Sequence, residues 1–524
     1  MPGEAAMTYA EIARWSSPSP LWQWPPHVRR LRQFPPHLRP NYAAPPASAA
    51  ALPEGRGPWA IGADPVWQIA SPAIAFYTPV RAASPAAMAP PPAMPPVGSP
   101  GIWLHMVLVG SLCAISTATG GQELEGYLPA NLPIVEALPN TTVLSRPRPD
   151  YDPPGVRAGS FVMHAQGGES VGFDSDPRAT PGQAGSAYFS TQGIASIASD
   201  WSRNSVAASV SVQDQRYLQL PHLSRTDDTV SLGGRYDVGT ADHLVLSATH
   251  SDLHILPTGL DAVAGRQDTV PFQVNGGTAS YLLNLSRLTL EPFATLNDYV
   301  FSASRISGVS QSNSYLDNAT VTEGVTARYE FSPLHHAVLV VRGTQSNYSH
   351  QLSGVAKRDS SGVSVLGGLD YVADGLWRYR ALVGYQERNY VSSTYKSQAA
   401  PIVEADVIWS PSRLTTVEAT ANRRIVDSTD PLTPSYTDTT LQLQVQHELQ
   451  RNLLLSARVG YEQASYDSNG GQQTIYNGGV TATWLLNQNQ NQKVSASFDH
   501  LKSSSRTRSS YTDDQVLLGF TVGI

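Results

Sequence analysis

From Val156 to the last residue, apolar and polar positions alternate in segments of about ten residues, separated by breaks rich in turn formers. A period of two belongs to a strand with two unlike faces, because successive side chains point to opposite sides. In Trp377–Arg388, one face carries Trp377, Tyr379, Ala381, Val383 and Tyr385. The other carries Arg378, Arg380, Leu382, Gly384, Gln386 and Arg388, whereas a helix would mix the two sets. Similar patterns predict strands at Ser205–Val212, Thr229–Val238, Leu244–Ser251, Leu288–Leu296, Val321–Phe331, Leu414–Asn422, Leu453–Tyr461, Ile475–Leu485 and Val516–Ile524. About eighteen such segments are read in all.

The connections alternate too. Eight short ones, such as Gly239–Asp242 and Ser332–His335, interleave with nine long ones, such as Asp252–Asp268 and Val426–Thr437. Short turns on one side and long loops on the other are the asymmetry of outer-membrane barrels. The predicted fold is therefore all-β, a transmembrane antiparallel up-and-down barrel of about 18 strands (range 16–18) at residues 156–524. An even strand number puts both barrel termini on the periplasmic side.

Aromatic residues mark the predicted strand ends. Trp201, Phe331, Trp377, Trp409 and Trp484 flank short turns. Tyr217, Phe301, Tyr348, Tyr390, Tyr436, Tyr466 and Tyr476 lie near the long loops. Amphipathic rings favour the headgroup level, so the two sets are expected to form two membrane-interface girdles. At the carboxyl end, Val516, Leu518, Phe520, Val522 and Ile524 alternate without a break. That resembles the terminal signal read by the barrel-assembly machinery, with Ile524 replacing the usual aromatic and Leu517 standing where a polar residue is usual.

Composition narrows the field. The chain has 524 residues, one cysteine (Cys113) and a formal charge of −7, with lysine only at 357, 396, 493 and 502. A nucleic-acid partner would call for a basic footprint, and a disulfide framework or thiolate metal site for more cysteine. No apolar run reaches the length of a spanning helix, a test that leaves a barrel untouched.

Proline divides the chain, with 29 of 40 before Gly155. Residues 1–101 form a Pro/Ala-rich segment, expected to be disordered or to precede the true start of translation. Residues 102–118, IWLHMVLVGSLCAISTA, are expected to be a signal peptide, with Ser116 and Ala118 as its small cleavage-site residues. The competing reading of that run is a buried core helix. Residues 119–155 are expected to be a polar periplasmic linker.

The segment Arg146–Phe161, RPRPDYDPPGVRAGSF, followed by these strands, resembles the outer-membrane β-barrel porin family of proteobacteria. Trp409–Leu414 (WSPSRL) and Gly384–Tyr390 (GYQERNY) are similar to its hairpins. The resemblance covers residues 146–524. It implies a Gram-negative outer-membrane location and a short periplasmic segment ahead of the barrel. Some members are associated with exopolysaccharide secretion, and the family supplies no catalytic residues.

Barrels of 16–18 strands leave an aqueous lumen. The inward face is expected to carry Arg235, Arg328, Arg342, Arg378, Arg380, Arg388 and Arg458, with the acids Asp370, Glu404, Asp406, Glu418 and Glu462. Charged rings set ion preference in pores, though such charges also pair simply to stiffen a wall. No P-loop or dinucleotide fingerprint occurs, and the histidines lack metal-site spacing. No catalytic, metal or cofactor site is therefore expected. The function read from this is a pore for passive passage of small polar solutes. The alternatives are an exopolysaccharide conduit or a non-conducting structural or adhesive surface barrel. The expected partners are outer-membrane lipid and lipopolysaccharide, the barrel-assembly machinery and, for the conduit, polysaccharide-export components.

Overall fold

Each long loop and short turn separates a pair of antiparallel neighbours, and the last strand returns to the first. The computed structural model describes residues 142–524 apart from 263–267, 307–308, 373–375, 467–470, 487–491 and 507–509. Residues 1–141, which hold the Pro/Ala-rich segment, the 102–118 run and most of the expected linker, lie outside the described residues.

The eighteen barrel strands run in chain order. They begin with β1 (Phe161–Asp174), β2 (Ser186–Ser199), β3 (Ser205–Tyr217), β4 (Arg225–Val238), β5 (Asp242–Ile255) and β6 (Val270–Leu285). They continue with β7 (Leu288–Phe301), β8 (Asn318–Ser332), β9 (His335–Tyr348), β10 (Ser360–Val372), β11 (Trp377–Tyr390) and β12 (Gln398–Ser412). They end with β13 (Thr415–Asp427), β14 (Ser435–Gln450), β15 (Leu453–Ser465), β16 (Gln472–Leu485), β17 (Lys493–Ser505) and β18 (Tyr511–Gly523). A three-residue strand, Val156–Ala158, pairs with the start of β1, and a small hairpin, Ser304–Ile306 with Val309–Gln311, sits in the loop after β7.

Every sequential pair is antiparallel, and β1 pairs with β18 from Gln166↔Gly523 to Asp174↔Gln515. Backbone bonds between Ala165 and Ile524, at 3.2 and 3.0 Å, continue that seam. Closure satisfies every edge, which a spanning sheet requires because hydrocarbon offers no partners. Both ends of the barrel wall lie on the short-turn side. The tight turns there use left-handed residues, with Gly239 at φ 74° and Asn204, Ser286 and Leu334 close to it.

The strands run 13 to 16 residues, longer than the alternation alone suggests. The added residues fall at the long-loop ends, as in Gln213–Tyr217, Asn297–Phe301 and Arg423–Asp427. There the ladder continues above the level where hydrocarbon imposes two unlike faces, so no period of two marks it. On the outer face, Val363, Val383, Val459, Val480 and Leu518 are exposed. Exposed apolar area on this scale fits a lipid-facing wall and no water-soluble monomer. The alternating Val516, Leu518, Phe520 and Val522 all lie on that outer face. Leu517 faces inward and packs beside Tyr188, Tyr217, Leu220 and Leu223 under the β3–β4 loop, which explains an apolar residue at that position.

Candidate functional site

The interior face of the barrel is built by parity. On β11 the residues Arg378, Leu382 and Arg388 are buried while Trp377, Ala381, Val383 and Tyr385 are exposed outside. The same parity turns Arg235, Arg328, Arg342, Arg380, Arg458, Asp370, Glu404, Asp406, Glu418 and Glu462 inward.

Most of them are engaged. Arg328 meets Asp370 at 3.3 Å, and Arg388 meets Asp427 at 2.8 Å. Arg342 grips Glu404 with both prongs of its guanidinium, one at 3.0 Å. That bridge reaches from β9 to β12, over the buried inward patch of Val338, Val340, Leu366, Leu382 and Ile402. Arg458 pairs with Asp499, and Arg235 with Asp237 at 2.8 Å. Glu418 accepts a bond from the Gln446 amide at 2.7 Å, and Glu462 one from Asn477 at 3.3 Å. Among the described residues Arg378, Arg380 and Asp406 make no hydrogen bond or ion pair. Asp406, Asp370 and Glu418 act on Arg378 only through the local field.

The charges are segregated. Between the two mouths, the inward residues of β1–β7 are mostly uncharged, with Ser196, Ser211, Ser247, Thr278, Ser280 and Thr295 as half-buried examples, although Arg235 on β4 and Glu291 on β7 also face inward. Most of the ionic residues stand on β8–β15 and β17. One wall of the lumen is thus richer in hydroxyls and the other in fixed charge.

At the short-turn mouth the chain ahead of the barrel does not hang free. Residues 142–152, expected as linker, form a strap lying against the inner wall. Val143 donates to Thr416 Oγ1 at 3.1 Å and Leu144 to Gln446 Oε1 at 2.9 Å. Val143 is buried with Leu454 and Leu485. Arg146 and Arg148 share the carboxylate of Glu448, and Arg148 also donates to the Val143 carbonyl at 2.5 Å. Glu448 shares the inward parity of Gln446.

At the opposite mouth the long loops interlock. The loop after β5 sends Leu260 among Val426, Tyr436, Ala464, Ile475, Leu501 and Tyr511, on the wall formed by β13–β18. Asp261 beside it accepts bonds from Ser428 at 3.0 Å, from the Thr429 amide and from Tyr466 at 2.5 Å. The loop after β13 is a hub. It also takes Arg358 on the Ser428 carbonyl at 2.6 Å and Tyr315 on the Thr429 carbonyl at 3.1 Å. Arg358 lies 4.5 Å over the Tyr348 ring. Asp317, in the loop ahead of β8, accepts from the Phe301 amide at 2.7 Å. Burial pushes its carboxyl above the usual range, against the pull of that amide and of His350.

This lid corrects the expected outer girdle. Tyr217, Phe301, Tyr348 and Tyr436 point inward and are buried beneath the loops, and Tyr390 points inward to Ser435. Tyr466 leans on Tyr436 and Asp261, and only Tyr476 of that set is exposed on the outer face. The signal was available, since Tyr390 shares the parity of Arg388. At the short-turn end, Trp201, Phe331, Trp377, Trp409 and Trp484 are all exposed outside, with Trp377 stacked on Trp409 at 5.4 Å.

Comparison with known proteins follows the fold. A family described as "Putative beta-barrel porin 2" matches residues 148–523. No curated relative matches the sequence. Among solved structures, the FrpB iron transporter of Neisseria meningitidis is similar at 9% identity and a TM-score of 0.38. The alignment covers 65% of this chain and 62% of FrpB, less than two thirds of that protein. The outer membrane protein OpdK of Pseudomonas aeruginosa is similar at 11% identity and a TM-score of 0.38, covering 69% of this chain and 98% of its own. OccK2 (OpdF) of the same organism is similar at 10% identity and 0.40, with the same coverage.

Proposed function

The chain belongs to the family "Putative beta-barrel porin 2", and from that premise we propose that it passes small polar solutes passively through its lumen. Its place is the Gram-negative outer membrane, where lipid and lipopolysaccharide surround the apolar wall. The observation that carries the reading is the closed ring of eighteen strands, apolar outside and polar inside. A ring of that size is too wide for its own side chains to fill. The inward charges line the path, and the strap and the loop lid set its two narrow points. The short-turn end faces the periplasm and the long loops face outward, with insertion by the barrel-assembly machinery. A polysaccharide conduit fits less well, because a polymer would have to displace both constrictions.

Planar-bilayer recording of the detergent-extracted protein tests this. The expected result is steady single-channel conductance, from protein whose gel mobility shifts on heating as a closed barrel's does. A correctly assembled barrel that leaves the bilayer silent would show a structural wall and overturn the pore.

A further inference from the structure

On β11 and β12 the inner wall holds three charged groups that bond to nothing among the described residues. Arg328, Arg342, Arg388, Arg458 and Arg235 each have a carboxylate within bonding distance. Arg378, Arg380 and Asp406 have none, and no hydrogen bond either, among the described residues. Arg378 is only 7% exposed. A guanidinium carries five donors and keeps its charge at any physiological pH, so one this deep without a bonded partner is poorly satisfied. Structural charges pair or take a hydrogen bond, as most of this wall does. Arg380 and Asp406 beside Arg378 are only half-buried on the inner face, and charges left so have another use.

Arg378 and Arg380 stand two residues apart on one face of β11, close to its short-turn end. Asp406 lies directly across from Arg380 in the ladder with β12. On its other side Arg380 faces Asp370 in the ladder with β10, with Arg328, Arg342 and Glu404 also within its field. A guanidinium fork matches the two oxygens of a carboxylate. Asp406, an acceptor only, matches a hydroxyl donor, and the facing wall of Ser and Thr offers more hydroxyl partners.

Resting on the pore reading, we propose that Arg378, Arg380 and Asp406 form a solute-selecting station just inside the periplasmic mouth. Its ligand class is a small carboxylate that also bears hydroxyls. The anion lies on the two guanidiniums, its hydroxyls on Asp406 and the opposite wall, and no covalent step is involved. The strap borders the station, since Thr142 lies beside Glu418 and Glu418 lies within the field of Arg378.

The test is current block in planar bilayers, with gluconate, acetate and sorbitol as probes. Gluconate should block at a concentration about tenfold below acetate, the worth of one or two added hydrogen bonds. Sorbitol, which has the hydroxyls without the charge, should not block. Replacing both arginines (R378Q with R380Q) should remove gluconate block and move the reversal potential in a KCl gradient toward cation preference. The lysine pair (R378K with R380K) should keep the anion preference but weaken gluconate block, because it keeps charge without the fork. If the glutamine pair lacks the heat-shifted band, the lysine pair carries the test. Block by gluconate no stronger than by sorbitol, or block unchanged in the variants, overturns the station and leaves the pore standing. Silence of the wild-type protein overturns the pore and the station with it.

Discussion

Val383 and Leu382 are neighbours in sequence with opposite fates. Val383 is 64% exposed on the outer wall, while Leu382 is fully buried on the inner one beneath the Arg342–Glu404 bridge. A cation placed at Val383 would face hydrocarbon, at a cost of about 2–4 kcal/mol near the midplane. Val383→Arg should therefore lower the yield of heat-shifted barrel, whereas Arg378→Gln, five residues away on the lumen side, should assemble. Equal assembly of the two would mean that the assigned faces are reversed. The residue scale also explains Leu517. It breaks the polar expectation for the last strand because its neighbours are a loop cluster, which only the folded chain supplies.

The strap is the element whose role depends most on tertiary contact. Its sequence, rich in Pro and Arg, reads as a solvated segment. In the fold, the carboxylate of Glu448 at the end of β14 holds two of its arginines, and Val143 fills a pocket lined by Leu454 and Leu485. Removing one partner of a largely buried pair typically costs about 3–5 kcal/mol, because the other charge is left unmatched. Glu448→Gln should release the strap, raise single-channel conductance, and open Arg146 or Arg148 to trypsin in the folded barrel. Unchanged conductance with new cleavage would show that the strap docks without narrowing the mouth.

Over the whole molecule, the loop after β5 is bonded through Asp261 to the loop after β13 and to β16, 167 to 212 residues away in sequence. Asp261 itself takes a left-handed backbone, φ 58°, so the surrounding bonds hold it in a conformation most side chains avoid. Asp261→Ala strands the donors of Ser428, Thr429 and Tyr466, a loss of about 1–3 kcal/mol for each buried group left unpaired. The lid should loosen, and current recorded with the loops facing the added solute should rise, with barrel assembly intact. Unchanged current would mean that the narrow point lies elsewhere, at the strap.

The alternation of apolar and polar residues by itself determined the strands, their order and the strand number. Lipid on one side and water on the other write that pattern residue by residue, so it survives in the linear chain. The same logic fixed the outward tryptophans at the short turns. What only the tertiary structure decided lies where this constraint ends. Above the hydrocarbon both faces of a strand are wet, so the upper strand ends and the inward turn of Tyr217, Phe301, Tyr348 and Tyr436 left no periodic trace that was read. The strap and the lid are held by pairs far apart in sequence, such as Arg148 with Glu448 and Asp261 with Thr429. No local pattern specifies such a pair, because each partner alone is an ordinary polar residue in a loop or at a strand end, and only closure of the ring brings the two together.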